Sequence, residues 1–172
     1  PYSATSAFAN NPMLISLDNL IRDGWLNLND VKSYPKTNFE KVDYPRFEKF
    51  KQDLLTKAAA NFEETKKDNQ KFDFENYCEK NQYWLNDYAL FCTFQNFLGE
   101  QQWIKWPKSF RTHQISAIED VIEEHRDKIN KIKIIQYLYD VQWKELKNYA
   151  NSKGIKIIGD IPIYVSYNSV DV

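Results

Sequence analysis

From Tyr44 onward the apolar residues Phe47, Phe50, Leu54, Leu55, Ala58 and Phe62 recur at steps of three and four, the spacing that sets one face of an α-helix against a core. Pro45 suits the first turn of that helix, where its missing N–H costs nothing. The charged residues Glu63-Glu64 and Lys66-Lys67-Asp68 then read as a solvated connection. A second helix is expected from about Asp73, with Phe74, Tyr77 and Cys78 leading into Trp84, Leu85, Tyr88, Phe91, Cys92 and Phe94, and with Gly99 as its stop. Ile115, Ile118, Val121 and Ile122 mark a further helix. Ile129, Ile132, Ile135, Tyr139, Trp143, Leu146 and Tyr149 mark a long one, which Asn151 to Gly154 ends. Upstream, Leu14, Ile15, Leu17, Leu20 and Ile21 before the turn pair Asp23-Gly24 predict a short helix beginning near Asp18. Residues 1–12, PYSATSAFANNP, follow neither period and read as an ordered loop.

The period changes after Gly154. Ile155-Lys156-Ile157-Ile158-Gly159 is a short β-branched run, and a long helix passing through glycine into such a run predicts an αβ unit. Pro162 argues against one strand through the whole of 155–165, so the strand is placed at 155–159 with Asp160 at its carboxyl end. In parallel α/β sheets and barrels that end faces the active site, which makes Asp160 a candidate. The paired indoles of Trp103-Ile104-Lys105-Trp106-Pro107 admit two readings, a loop anchor or a sugar-stacking platform. The anchor is preferred, because most indoles bury large areas for structural reasons.

Composition narrows the function. A chain of 172 residues defaults to one core, and 16% aromatic residues make wholesale disorder untenable despite a mean hydropathy of -0.67. A net charge of -1 supplies no excess of cations to draw a nucleic-acid backbone or an anionic membrane, and no apolar run approaches the roughly 20 residues that span a bilayer. A soluble, cytoplasmic protein without nucleic-acid or membrane partners is expected. Cys78 and Cys92 sit in a helical pattern and read as small apolar groups, and His113 and His125 read as surface residues. Neither pair has metal spacing, so no metal and no cofactor is expected. The chain starts at Pro1-Tyr2 and stops shortly after an apolar run, which reads as a piece cut at both ends.

Four segments carry a resemblance. GDIPIYV (159–165) followed by Ser169-Val170-Asp171-Val172, the opening PYSATSAFANNP, WLNDYALF (84–91) and the WIKWP of 103–107 together resemble the 4-alpha-glucanotransferases of glycoside hydrolase family 77, in the family's own order. Two departures stand out: Asn10 where the family usually has Gly, read as an alternative turn residue able to take positive φ, and Asn168 where it usually has Asp.

The resemblance implies an α/β fold, an incomplete (β/α)8 barrel. Residues 1–12 would be an active-site loop after barrel strand two, 13–153 a helical insertion with a barrel helix, and 154–172 the third strand with its following loop. It implies an enzyme that transfers segments of α-1,4-glucan between maltooligosaccharides with retention, through a carboxylate nucleophile and an acid/base in motifs that this chain lacks. No catalytic residue is then expected here, and the chain alone is expected to be inactive. Two substrate-binding residues carry over by motif: Tyr2, whose ring would stack on the donor sugar, and Asp160, which would bind sugar hydroxyls or a catalytic arginine. On residues alone, Tyr2 reads as a packed loop aromatic and Asp160 equally well as a strand-end cap. Asp87 is left structural, and Asp171 is a weak partner for Asp160 in any dyad. The alternative from another class is a non-catalytic helical interaction or glucan-binding module.

Overall fold

The computed structural model describes residues 4–32, 43–100, 102–160 and 163–172. Its α-helices are α1 Leu17–Arg22, α2 Leu28–Lys32, α3 Tyr44–Thr65, α4 Asp68–Leu98, α5 Lys108–Arg111, α6 Ile115–Glu124 and α7 Arg126–Ser152, with 3-10 turns at Pro12–Leu14 and Trp103–Lys105.

Local chemistry sets these bounds. The Asn19 amide donates to Ser16 Oγ at 3.3 Å and the Arg46 amide to Asp43 Oδ1 at 3.3 Å, so α1 and α3 each begin on a side-chain cap, and Pro45 lies in the first turn of α3. α4 starts at Asp68 rather than near Asp73 because its first turn is polar: the Lys67 amide donates back to Gln70 Oε1 at 2.9 Å, a reach that apolar spacing does not register. At the end of α7 the amides of Gly154 and Ile155 donate to Asn151 O at 2.9 Å and Ala150 O at 3.0 Å, and Gly154 holds φ 76, a left-handed stop that a side chain would resist.

No strand forms among the described residues, so the strand expected at 155–159 is absent from this chain. A strand is a ladder of bonds to a neighbour, and β-branched composition cannot supply that neighbour. The run is open to solvent instead, with Ile158 93% exposed and Ile155, Ile157, Ile163 and Tyr164 also exposed.

The chain divides into two compact units rather than the single core suggested by its length: Pro1–Ala9 with Asn76–Lys133 and Ile157–Val172, and Asn10–Glu75 with Ile134–Lys156. In the first, Phe91 and Phe94 of α4 pack with Trp106 and Val121, and Trp103, Phe110, Ile118 and Val170 close over them. In the second, Phe62 of α3 lies at the centre of a ring cluster, with Trp25, Phe74 and Tyr137 at 5.0, 5.8 and 5.6 Å between centroids. Lys51 is buried there too. Its ammonium donates to the Met13 carbonyl, and desolvation pulls its pKa below the usual lysine range. Along α7 the consecutive residues 134–138 are all buried, whereas Trp143, Leu146 and Tyr149, expected on the core face, are exposed. Helical spacing shows which residues could share a face but not whether anything covers it.

Candidate functional site

In the first unit the opening and closing segments meet. The Val170 amide donates to Thr5 O at 2.9 Å, and Asp171 accepts the Ala7 amide at 2.8 Å and the Ser6 hydroxyl at 3.4 Å, across 165 residues of sequence in the last case. Ser6 Oγ in turn accepts the amides of Phe8 at 3.1 Å and Ala9 at 3.3 Å, so a segment without regular structure has its backbone donors satisfied by side chains. Asp171 is therefore a loop anchor. Both its oxygens are engaged in holding residues 6–7.

Asp160 is exposed and follows the irregular 155–159 run. Tyr2, the other predicted site residue, lies outside the described residues.

Both departures from the family pattern have structural accounts. Asn10 does not take positive φ: among the described residues His113, at φ 50, is the one non-glycine there. In the second unit the Asn10 amide instead donates to Gln136 Oε1 at 2.9 Å, and Gln136 Nε2 donates back to Asn10 O at 3.0 Å. This grip runs through the backbone, so the Asn10 side chain is not what it requires. Gln142 repeats it on Ser16, at 2.8 and 3.1 Å. The sequence reading missed both glutamines, although one polar residue inside Ile134-Ile135-Gln136-Tyr137-Leu138 was the available signal. Asn168 accepts the Trp103 amide at 3.1 Å through Oδ1, a bond that a carboxylate could equally make.

The indole pair is structural, as preferred. Trp106 is buried and its Nε1 donates to Glu100 O at 2.8 Å, while the Nε1 of half-buried Trp103 donates to Tyr167 O at 2.8 Å. With these N–H groups spent, the rings offer only their faces. They line a cavity of about 450 Å³ in the first unit, with Phe91, Phe94 and Phe110 as further aromatic walls. Its lining also includes Asp87, Arg111, His113 and Ser169. His125 departs from its surface reading: its Nε2 is buried, with its ring 5.2 Å from that of Phe97. Cys78 and Cys92 are half-buried, and burial pushes the Cys92 thiol up to about 11, so it is protonated and unreactive at neutral pH. Among the described residues no group of three His, Cys, Asp or Glu side chains could hold a metal ion, and no helix is long and apolar enough to cross a membrane.

The family profile described as 4-alpha-glucanotransferase matches residues 1–172. A 4-alpha-glucanotransferase of Clostridium butyricum is 39% identical over all of this chain and 35% of its own length. The chloroplastic/amyloplastic 4-alpha-glucanotransferase of Solanum tuberosum is 35% identical over all of this chain and 30% of its own length. Among solved structures, amylomaltase from Streptococcus agalactiae in complex with acarbose superposes with a TM-score of 0.90 at 31% identity, covering 99% of this chain and 34% of that one. The chain thus spans about a third of the length of the relatives it matches.

Proposed function

The chain belongs to the 4-alpha-glucanotransferase family, and from that premise we propose that it forms part of an enzyme that moves α-1,4-glucan segments from one maltooligosaccharide to the 4-hydroxyl of another. The single observation carrying this reading is the whole-chain family match. In such a retaining transfer a carboxylate attacks the anomeric carbon and a carboxylic acid about 5 Å away protonates the leaving oxygen, then deprotonates the acceptor hydroxyl. Those two groups lie outside the 172 residues in this reading, and this chain lines the cleft. Tyr2 offers a ring face to the C–H surface of the donor sugar, and Asp160 holds sugar hydroxyls or a catalytic arginine. Residues 155–159 become the third strand of a (β/α)8 barrel once neighbouring strands cover Ile155, Ile157 and Ile158. Their exposure here supports that placement over a self-contained helical module. Cys92, a free thiol, fits a reducing compartment, the cytoplasm.

The test uses the whole protein with maltotriose. Glucose and longer maltooligosaccharides are the expected products, and the 172-residue chain alone should leave maltotriose unchanged. Asp160→Asn should lower kcat about 10²-fold, the scale of a contact that tightens in the transition state, while mass spectrometry still traps the glycosyl-enzyme. Tyr2→Ala should weaken glucan use far more than Tyr2→Phe. A whole protein that leaves maltotriose untouched refutes the reading. Normal kcat with a lowered melting midpoint in Asp160→Asn would make Asp160 a structural cap.

A further inference from the structure

We propose that Asp171 is a positioning residue for glucan transfer: by fixing residues 5–9 against the core of the first unit, it sets where the opening loop presents Tyr2 to the donor sugar. The inference rests on the reading of the protein as a glucanotransferase. Residues 5–9 form no α-helix or strand, so no regular ladder of bonds fixes their path. Side chains hold it instead. The Ala7 amide donates to Asp171 Oδ2 at 2.8 Å, the short length of a charge-assisted bond, and the Ser6 hydroxyl donates to Oδ1 at 3.4 Å. That donation turns the Ser6 proton toward the carboxylate and leaves the oxygen's lone pairs to the amides of Phe8 and Ala9, at 3.1 and 3.3 Å. The Val170 amide adds a bond to Thr5 O at 2.9 Å. Every residue from Thr5 to Ala9 makes one of these bonds, and all but Thr5's run through Asp171 directly or by way of Ser6.

An anchor can position a loop only if it is itself fixed. Asp171 follows Ser169, which is buried, and Val170, which packs against the cluster of Phe91, Phe94, Trp106 and Val121. Just before them, Asn168 Oδ1 accepts the Trp103 amide at 3.1 Å and Tyr167 O accepts Trp103 Nε1 at 2.8 Å. The carboxylate thus extends from a segment tied to the core, while Asp171 itself is exposed. Exposure separates two roles. A carboxylate in water contributes little to overall stability, because water replaces each bond that it loses. Geometry responds far more steeply: a misplacement of about 1 Å in a group that orients substrate can cost about 10²-fold in rate. Tyr2 stands three positions before Thr5, so only a short stretch of chain separates the anchored residues from the ring that would meet the sugar.

The test uses the whole protein, with maltotriose disproportionation measured well below the melting midpoint of each variant. Asp171→Ala should lower kcat/KM about tenfold, part of the penalty for a misplaced contact. Asp171→Asn keeps a carbonyl oxygen for the Ala7 amide and should stay within about threefold of the unmodified protein. Because the anchor acts through Tyr2, Asp171→Ala should lower kcat/KM no further in a Tyr2→Ala background. Unchanged kcat/KM in Asp171→Ala overturns the proposal, and a lowered midpoint would then mark the residue as structural only. Losses that multiply in full in the double variant also overturn it, since the effect would not pass through Tyr2. If the unmodified protein leaves maltotriose untouched, the glucanotransferase reading fails and this inference with it. If both it and Asp171→Ala are fully active, the positioning role alone fails.

Discussion

Two stretches without α-helix or strand behave in opposite ways. Residues 4–16 are fastened along much of their length, by Asp171, Ser6 and Val170 within the first unit and by the amides of Gln136 and Gln142 within the second. Residues 155–160 are apolar and β-prone, yet every one of them is exposed. The difference lies in what each stretch needs. An irregular segment needs donors and acceptors within reach, and side chains already in the chain supply them. A β-branched run needs another strand, and no side chain substitutes for a ladder.

Breaking the first kind of fastening should have the largest effect. Gln136 is 1% exposed and bonds both the N–H and the C=O of Asn10, so Gln136→Leu should cost about 2–4 kcal/mol by stranding two backbone groups, read as a lower urea midpoint at unchanged m-value. Gln142 makes the same pair of bonds to Ser16 in a partly exposed setting. Gln142→Leu should therefore cost about 1 kcal/mol, since water can replace what is lost, and equal losses at the two sites would show that burial does not set the scale. Asp171→Ala should cost about 1 kcal/mol and speed hydrogen exchange at Ala7, with Asp171→Asn recovering most of the protection through its remaining carbonyl oxygen. The smallest effect belongs to the second stretch. Ile158→Lys in the 172-residue chain should shift stability by no more than about 0.5 kcal/mol while reducing aggregation, and a fall of several degrees in midpoint would mean that the run is packed after all.

The residues show why some of this architecture was legible beforehand. α3 could be read because its apolar face, its Pro45 and the turn after it agree, and α6 because Ile115, Ile118 and Val121 keep strict helical spacing. The start of α4 was misjudged by the polar turn at Lys67–Gln70, since periodicity counts only apolar residues. Of the candidate site, the opening loop, GDIPIYV and the Ser169–Val172 that follows were visible as segments, while the bonds joining the opening loop to Val170 and Asp171 were not. Hydrogen bonding between residues so far apart leaves no local pattern.

The sequence by itself determined α3, α6 and α7, the stops at Gly99 and Gly154, and the family, because propensity, periodicity and motif order are properties of neighbouring residues. Tertiary structure alone decided that Asp171 anchors a loop and that Gln136 holds Asn10 without positive φ. The β-branched signal at 155–159 does not make a strand by itself, and the run is exposed, for pairing and burial are decided by what lies alongside.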